Sequence, residues 1–110
     1  MRIINIFEST EQIESPMRNA AIDFSKMTTS VVALVTDQTR NGEKVIGYGF
    51  ASNGRYAQGG ILRERFIPRI LEAQAHELLD DREIFDPFKI QAIMLANEKP
   101  GGHGDRAVAA

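Results

Sequence analysis

The sequence predicts an α+β domain, a three-stranded antiparallel meander followed by a small helical bundle. Three observations carry that expectation. β-branched and aromatic residues crowd the first half, an Asn41-Gly42 pair splits two such runs, and apolar residues recur at four-residue steps from Leu62 onward. Strands first and helices afterwards give segregated layers, not alternating βαβ units.

Residues 2–9, rich in Ile and Phe with polar residues between, form the first expected strand. Glu14-Ser15-Pro16-Met17-Arg18-Asn19 breaks the pattern and reads as a loop. Residues 28–36 form the second strand, with Thr29, Val31, Ala33 and Val35 on one face and Val32 and Leu34 on the other. Apolar residues on both faces predict a strand covered on both sides. Asn41-Gly42 is a strong short hairpin signal, since both residues tolerate positive φ. Residues 45–50 return, with Gly47 and Gly49 opposite Ile46, Tyr48 and Phe50. Beyond Gln58-Gly59-Gly60, Leu62, Phe66 and Ile70 make an apolar stripe with Ile67 and Leu71 beside it. Pro68 lies inside that stripe and predicts a kink, because it has no N–H for the carbonyl four residues back. Residues 75–79 allow one further turn or two. Asp86-Pro87 supplies an N-cap and a first-turn proline to a last helix that carries Ile90, Ile93 and Met94 and ends near Asn97.

Composition narrows the function classes. The chain has 110 residues, 43% hydrophobic and 25% charged, within the range of one globular domain. A net charge of -2 argues against a nucleic-acid binder working through a broad basic surface. Zero cysteines exclude disulfides, thiolate nucleophiles and zinc-cysteine sites, which suits a cytoplasmic protein. No apolar run approaches the roughly 20 residues of a membrane span, and the first residues do not read as a secretory signal. Neither nucleic acid nor membrane is expected as a partner.

Most motifs fail on inspection. Gly47-Tyr48-Gly49 lacks the third glycine of a dinucleotide fingerprint, which would fall at Ser52, and it follows a hairpin. Small residues there predict close approach of another chain segment. His76-Glu77 would need a second histidine at Asp80 to bind zinc. With His103 as the other histidine of the chain, no metal site is expected among these residues. Glu77, Asp80, Asp81 and Glu83 read as a solvated acidic face. Ser52-Asn53-Gly54-Arg55-Tyr56 sits at a strand end, where a rigid support presents polar groups, although an ordinary Asn-Gly turn also explains it. Arg18-Asn19 in the first loop and Lys99 before a Pro-Gly run are equally plain taken singly.

Lys99-Pro100-Gly101-Gly102-His103-Gly104 punctuates the chain near its last residues. The run from Asp105 to Ala110 is helix-prone but too short to stand alone in water. It reads as a domain that stops while entering another.

Residues 28–37 and 45–56 resemble the N-terminal capping domain of the enolase superfamily, in its mandelate racemase-like branch that dehydrates acid sugars. Within that branch, Ser15-Pro16-Met17-Arg18-Asn19-Ala20, residues 52–60 and residues 97–104 are similar to the D-tartrate dehydratases. The likeness covers essentially the whole chain. It implies an enolase N-terminal-like fold over residues 1–98, with residues 99–110 as a linker and the start of a barrel domain. It also implies a partner barrel that supplies the lysine and histidine acid/base groups and the carboxylates that bind Mg²⁺. No catalytic or metal residue has a counterpart in this sequence, so these residues alone are expected to be inactive. What the resemblance assigns here is substrate contact: Asn19 from the first capping loop, Asn53 from the second, and Lys99 at the exit toward the barrel. Each suits a hydroxy-diacid, the amides by pairing with hydroxyls and carboxylates and the lysine by its charge. A closed cap would also exclude water from those pairings. A homo-oligomer is expected, joined through apolar surface at the C-terminal alanines and Val108 and beside the two asparagine loops.

Two readings stay open. The chain is either the substrate cap of a Mg²⁺-dependent dehydratase, or a free-standing binding or assembly module that kept the capping fold.

Overall fold

In a computed structural model, the described residues are 1–54 and 57–110, with the side chains of residues 52–54 and of Arg106 left aside. Three strands, β1 (Ile3–Gln12), β2 (Thr28–Arg40) and β3 (Glu43–Gly54), form one antiparallel sheet in the order β1-β2-β3. Helical segments follow: α1 (Ala57–Ile61), a wide turn over Leu62–Phe66, α2 (Ile67–Glu72), α3 (Ala75–Leu78), α4 (Pro87–Met94) and α5 (Gly104–Ala107). The architecture is the α+β meander with a small helical part that the sequence predicts.

The β2–β3 hairpin turns at Asn41 and Gly42, whose φ angles of 53° and 81° are those of a two-residue type I′ turn between paired Arg40 and Glu43. The strands run further than the β-branched density suggests. Register slips between Val35 and Thr39, and there Thr36 Oγ1 donates to the Val45 carbonyl at 2.8 Å. That hydroxyl bond bridges a gap in the ladder and lets the hairpin continue.

Pro68 acts on the turn before it. The Ile67 N–H reaches back five residues to the Leu62 carbonyl, so the helix widens to a π-type turn and then resumes as α2 with proline in its first turn. The expected kink is thus absorbed as one wide turn inside a continuing helix. Asp86 caps α4 as expected, accepting from the N–H groups of Phe88 at 2.9 Å and Lys89 at 3.3 Å.

The core lies between one face of the sheet and the helices. Ile6 and Val32 from the strands meet Ile61, Leu62, Phe66, Ile70 and Leu78, and Ala107 of α5 is fully buried among them. Phe66 is fully enclosed and has the Arg69 guanidinium 5.9 Å from its ring centroid. The Pro-Gly run makes a turn, with Gly101 at φ 72° and the Gly102 N–H on the Lys99 carbonyl at 2.9 Å. The chain then folds back and packs Ala107, Val108 and Ala110 onto the core.

Two corrections follow from this packing. Ala107, Val108 and Ala110 pack against the core and are not the open apolar surface that the sequence suggests, whereas Ala109 is exposed. A Cβ on Gly49 would lie 2.0 Å from the Ala110 carbonyl, so Gly49 marks the close approach expected of that segment, while Gly47 faces open space. Moreover, among the described residues, β2 is covered on one face only. Its other face, with the outward residues of β1 and β3, is left bare: Phe7, Val31, Ile46, Tyr48 and Phe50 are all exposed.

Candidate functional site

Two loops leave the sheet at one end. The β1–β2 connection, residues 13–27, departs where Gln12 pairs with Thr28, and β3 ends where Gly54 pairs with the same Thr28. Asn19, in the first loop, and Asn53, in the last residues of β3, therefore lie at the same end of the sheet, although they are 34 positions apart in sequence.

The first loop is built, not slack. The Ile13 N–H bonds the Met27 carbonyl at 3.0 Å, Gln12 Nε2 bonds the Ser25 carbonyl at 2.8 Å, and Arg18 bridges Asp23 in antiparallel fashion. Asp23 caps a short 3₁₀ turn, Phe24–Lys26. Hydrogen bonds from the Ser25 hydroxyl and N–H hold its carboxyl below the usual carboxylate range. Asn19 is exposed at the tip, and its Oδ1 accepts from the Ala21 and Ile22 N–H groups at 2.9 and 2.8 Å. That local turn fixes the amide plane and leaves Nδ2 as the group it presents outward. The turn is local, made with the next few residues of the same loop.

In β3, three steps from Ala51 to Gly54 oppose two from Ser30 to Thr28. The extra residue is a bulge at positions 52–53, a feature that re-aims side chains at strand ends. The backbone of Asn53 lies in this bulge, whereas its side chain, with Arg55 and Tyr56, lies outside the described residues.

Beneath the loops, a buried ion pair joins helix to sheet. Glu8 has its side chain 1% exposed and accepts from both Arg63 and Thr10. Gly59 passes over them so closely that a Cβ would sit 2.1 Å from Thr10 Oγ1 and 2.8 Å from Glu8 Oε1. Gly59 is therefore a packing requirement of the helix start.

Lys99 lies elsewhere. It lines a cleft of about 460 Å³ with Arg65, Asn97, Glu98, Gly101, Gly102 and His103. None of its described lining residues comes from the 13–27 loop. The 13–27 loop and the last residues of β3 thus lie at one end of the sheet, and Lys99 lines a cleft whose described lining does not include that loop. Sequence reasoning missed Arg65, a half-exposed side chain lining the same cleft, since a single arginine on a helix gives no signal.

Glu98 organises this region. Its carboxylate takes Arg65 at 2.8 Å and Arg69 at 3.1 Å, and Arg69 also donates to the Met94 carbonyl at 2.6 Å. Burial pushes the Glu98 carboxyl up, but the two guanidiniums more than offset it, so it titrates below its ordinary 4.5. A depressed carboxylate stabilises the fold above its unfolded value, and that contribution is lost as pH falls through the folded value. The stability difference between the wild type and Glu98→Gln is thus expected to be constant from pH 8 to pH 6 and to shrink below pH 4.5. Urea midpoints across that range measure it; a difference independent of pH would mean that the ion pairs contribute nothing.

The remaining candidates are structural. His76 is exposed on α3, as expected for a solvated histidine. The acidic run is only partly a solvated face. Glu77 closes a capping box with Gln74, and Asp80 accepts from the Arg82 and Ile84 N–H groups at 2.9 and 3.0 Å. The Ile84 bond, outweighing a burial effect that acts the other way, holds the Asp80 carboxyl below its usual range.

No protein-family model matches the chain. Among the described residues, no three His, Asp or Glu side chains are placed to hold a metal ion, and no helix is long and apolar enough to cross a membrane.

Proposed function

We propose that this chain is the substrate-capping domain of a Mg²⁺-dependent acid-sugar dehydratase, with D-tartrate, converted to oxaloacetate and water, as the preferred substrate. The single observation that supports it most is the emergence of the Asn19 and Asn53 loops from the same sheet end, as a two-loop lid requires. The motif likeness at residues 15–20, 52–60 and 97–104 supplies the substrate class. Among the described residues no three His, Asp or Glu side chains are placed to hold Mg²⁺. It would belong to a barrel domain that also holds the acid and base.

The work of these residues is recognition. The Asn19 Nδ2 donates to a substrate oxygen, Asn53 reads a hydroxyl or carboxylate, and Lys99 with Arg65 lends positive charge to a dianion. The expected result is that the chain binds D-tartrate and discriminates against succinate, which carries both carboxylates but no hydroxyl. Lys99→Ala should weaken both ligands, whereas Asn19→Ala and Asn53→Ala should weaken D-tartrate alone. Loss of one hydrogen bond to a charged group costs about 1.5–3 kcal/mol, roughly 10- to 150-fold in affinity. Isothermal titration measures this, and equal binding of the two diacids would defeat the assignment.

The free-standing assembly module remains the second reading. The bare outer face of the sheet favours it.

A further inference from the structure

We infer that the outer face of the sheet is a self-association surface, and that its occupant is the same face of a second copy of this chain. The face is ordered in rows across the three strands. Phe7, Ala33 and Tyr48 pair across it, and beside them run Ser9, Val31 and Phe50, then Asn5, Val35 and Ile46. None of these positions carries a charge. Glu11, in the next row on the same face, accepts from the Ser9 hydroxyl and places a charge at the rim.

The exposure is large where the side chains are large. Tyr48 is 74% exposed, Phe50 63% and Phe7 57%, with Val31 and Ile46 near 40%. At 150–250 Å² per aromatic side chain, these residues offer roughly 500 Å² of apolar surface, at the upper end of what monomers leave bare. With the polar residues around them, the face approaches the ~800 Å² that each partner contributes to a standard interface.

Its relief explains why a second copy fits. Ala33, the smallest side chain of the central row, lies between Phe7 on one edge strand and Tyr48 on the other. The face therefore dips at Ala33 between two aromatics, with Val31 and Val35 to either side of the dip along β2. A two-fold axis through the dip sets Tyr48 of each copy beside the other copy's Ala33, and sheets stacked this way lie about 10 Å apart. With the nine central positions uncharged and Glu11 at the rim, pairing like with like sets no charge at the centre of the contact. The inference holds under either reading of function, since no described lining residue of the Lys99 cleft lies on this face.

Sedimentation velocity of the 110-residue chain over the micromolar range is the test. A dimer is expected, and Phe50→Lys should raise its dissociation constant at least tenfold, because every interface contains the substitution twice. Tyr48→Thr keeps a β-favouring residue and should weaken the dimer with an unchanged circular dichroism spectrum, which separates lost contact from lost fold. Because the chain has no cysteine, Ala33→Cys should crosslink to itself through a bis-maleimide of about 10 Å reach. Glu64→Cys, on the exposed helical side, should not. A wild-type monomer at every concentration, or a dimer that neither Phe50→Lys nor Tyr48→Thr weakens, would overturn the proposal. So would crosslinking from Glu64→Cys but not from Ala33→Cys.

Discussion

Phe66→Ala is expected to lower the unfolding free energy by about 3–5 kcal/mol, the range for emptying a buried aromatic site. Phe66 has no exposed surface, and it stands where the wide turn, the sheet and α5 meet. Gly104 is tight against it: a Cβ there would lie 3.0 Å from Phe66 Cζ. The cavity would therefore loosen α5 as well as the central helix. Domains of ordinary stability hold about 5–15 kcal/mol in total, so the variant should be marginal at room temperature. Urea denaturation followed by circular dichroism measures the loss. A cost below 1 kcal/mol would mean that the helices do not rest on this residue.

Arg63→Ala should be the next most damaging change, at about 1–3 kcal/mol. It strands the nearly buried Glu8 carboxylate with Thr10 as its remaining partner among the described residues. Half of the Arg63 side chain is solvated, so water repays part of the loss and the full penalty for breaking a buried pair is not reached. The discriminating step is Glu8→Gln in the Arg63→Ala background. With the stranded charge gone, much of the lost stability should return, and a double-mutant cycle then reports the coupling. If Glu8→Gln brings no recovery, the cost of Arg63→Ala comes from lost packing of its alkyl stem and not from the charge.

What the sequence discloses divides by the range of the interaction. The Asn41-Gly42 turn, the Asp86 cap and the Leu62–Phe66–Ile70 stripe are local chemistry, and the fold realises each of them. Pro68 is local too, yet its consequence is not: the missing N–H forbids one bond, while the wide turn that replaces it depends on packing around Phe66. Contacts between distant segments left no pattern to find. Glu8 and Arg63 are 55 positions apart, and Arg65 and Glu98 are 33 apart. Alternation in β2 shows that both faces are apolar but cannot say whether a helix, another copy or nothing covers the second. The candidate site follows the same division. Asn19 and Lys99 are singled out by the resemblance and the Asx turn at Asn19 is local, but the bulge at residues 52–53 and the place of Arg65 in the lysine cleft are products of the fold.

The central claim, that the Asn19 loop, the Asn53 loop and the Lys99 cleft serve one hydroxy-diacid ligand, is tested most directly by amide chemical shifts during titration with D-tartrate. The account predicts saturable shifts in residues 13–27, at the 52–54 bulge and in residues 97–103, all with one dissociation constant and all weakened by Lys99→Ala. Shifts confined to residues 97–103, unchanged when succinate replaces D-tartrate, would contradict it and leave the cleft as a simple cationic surface.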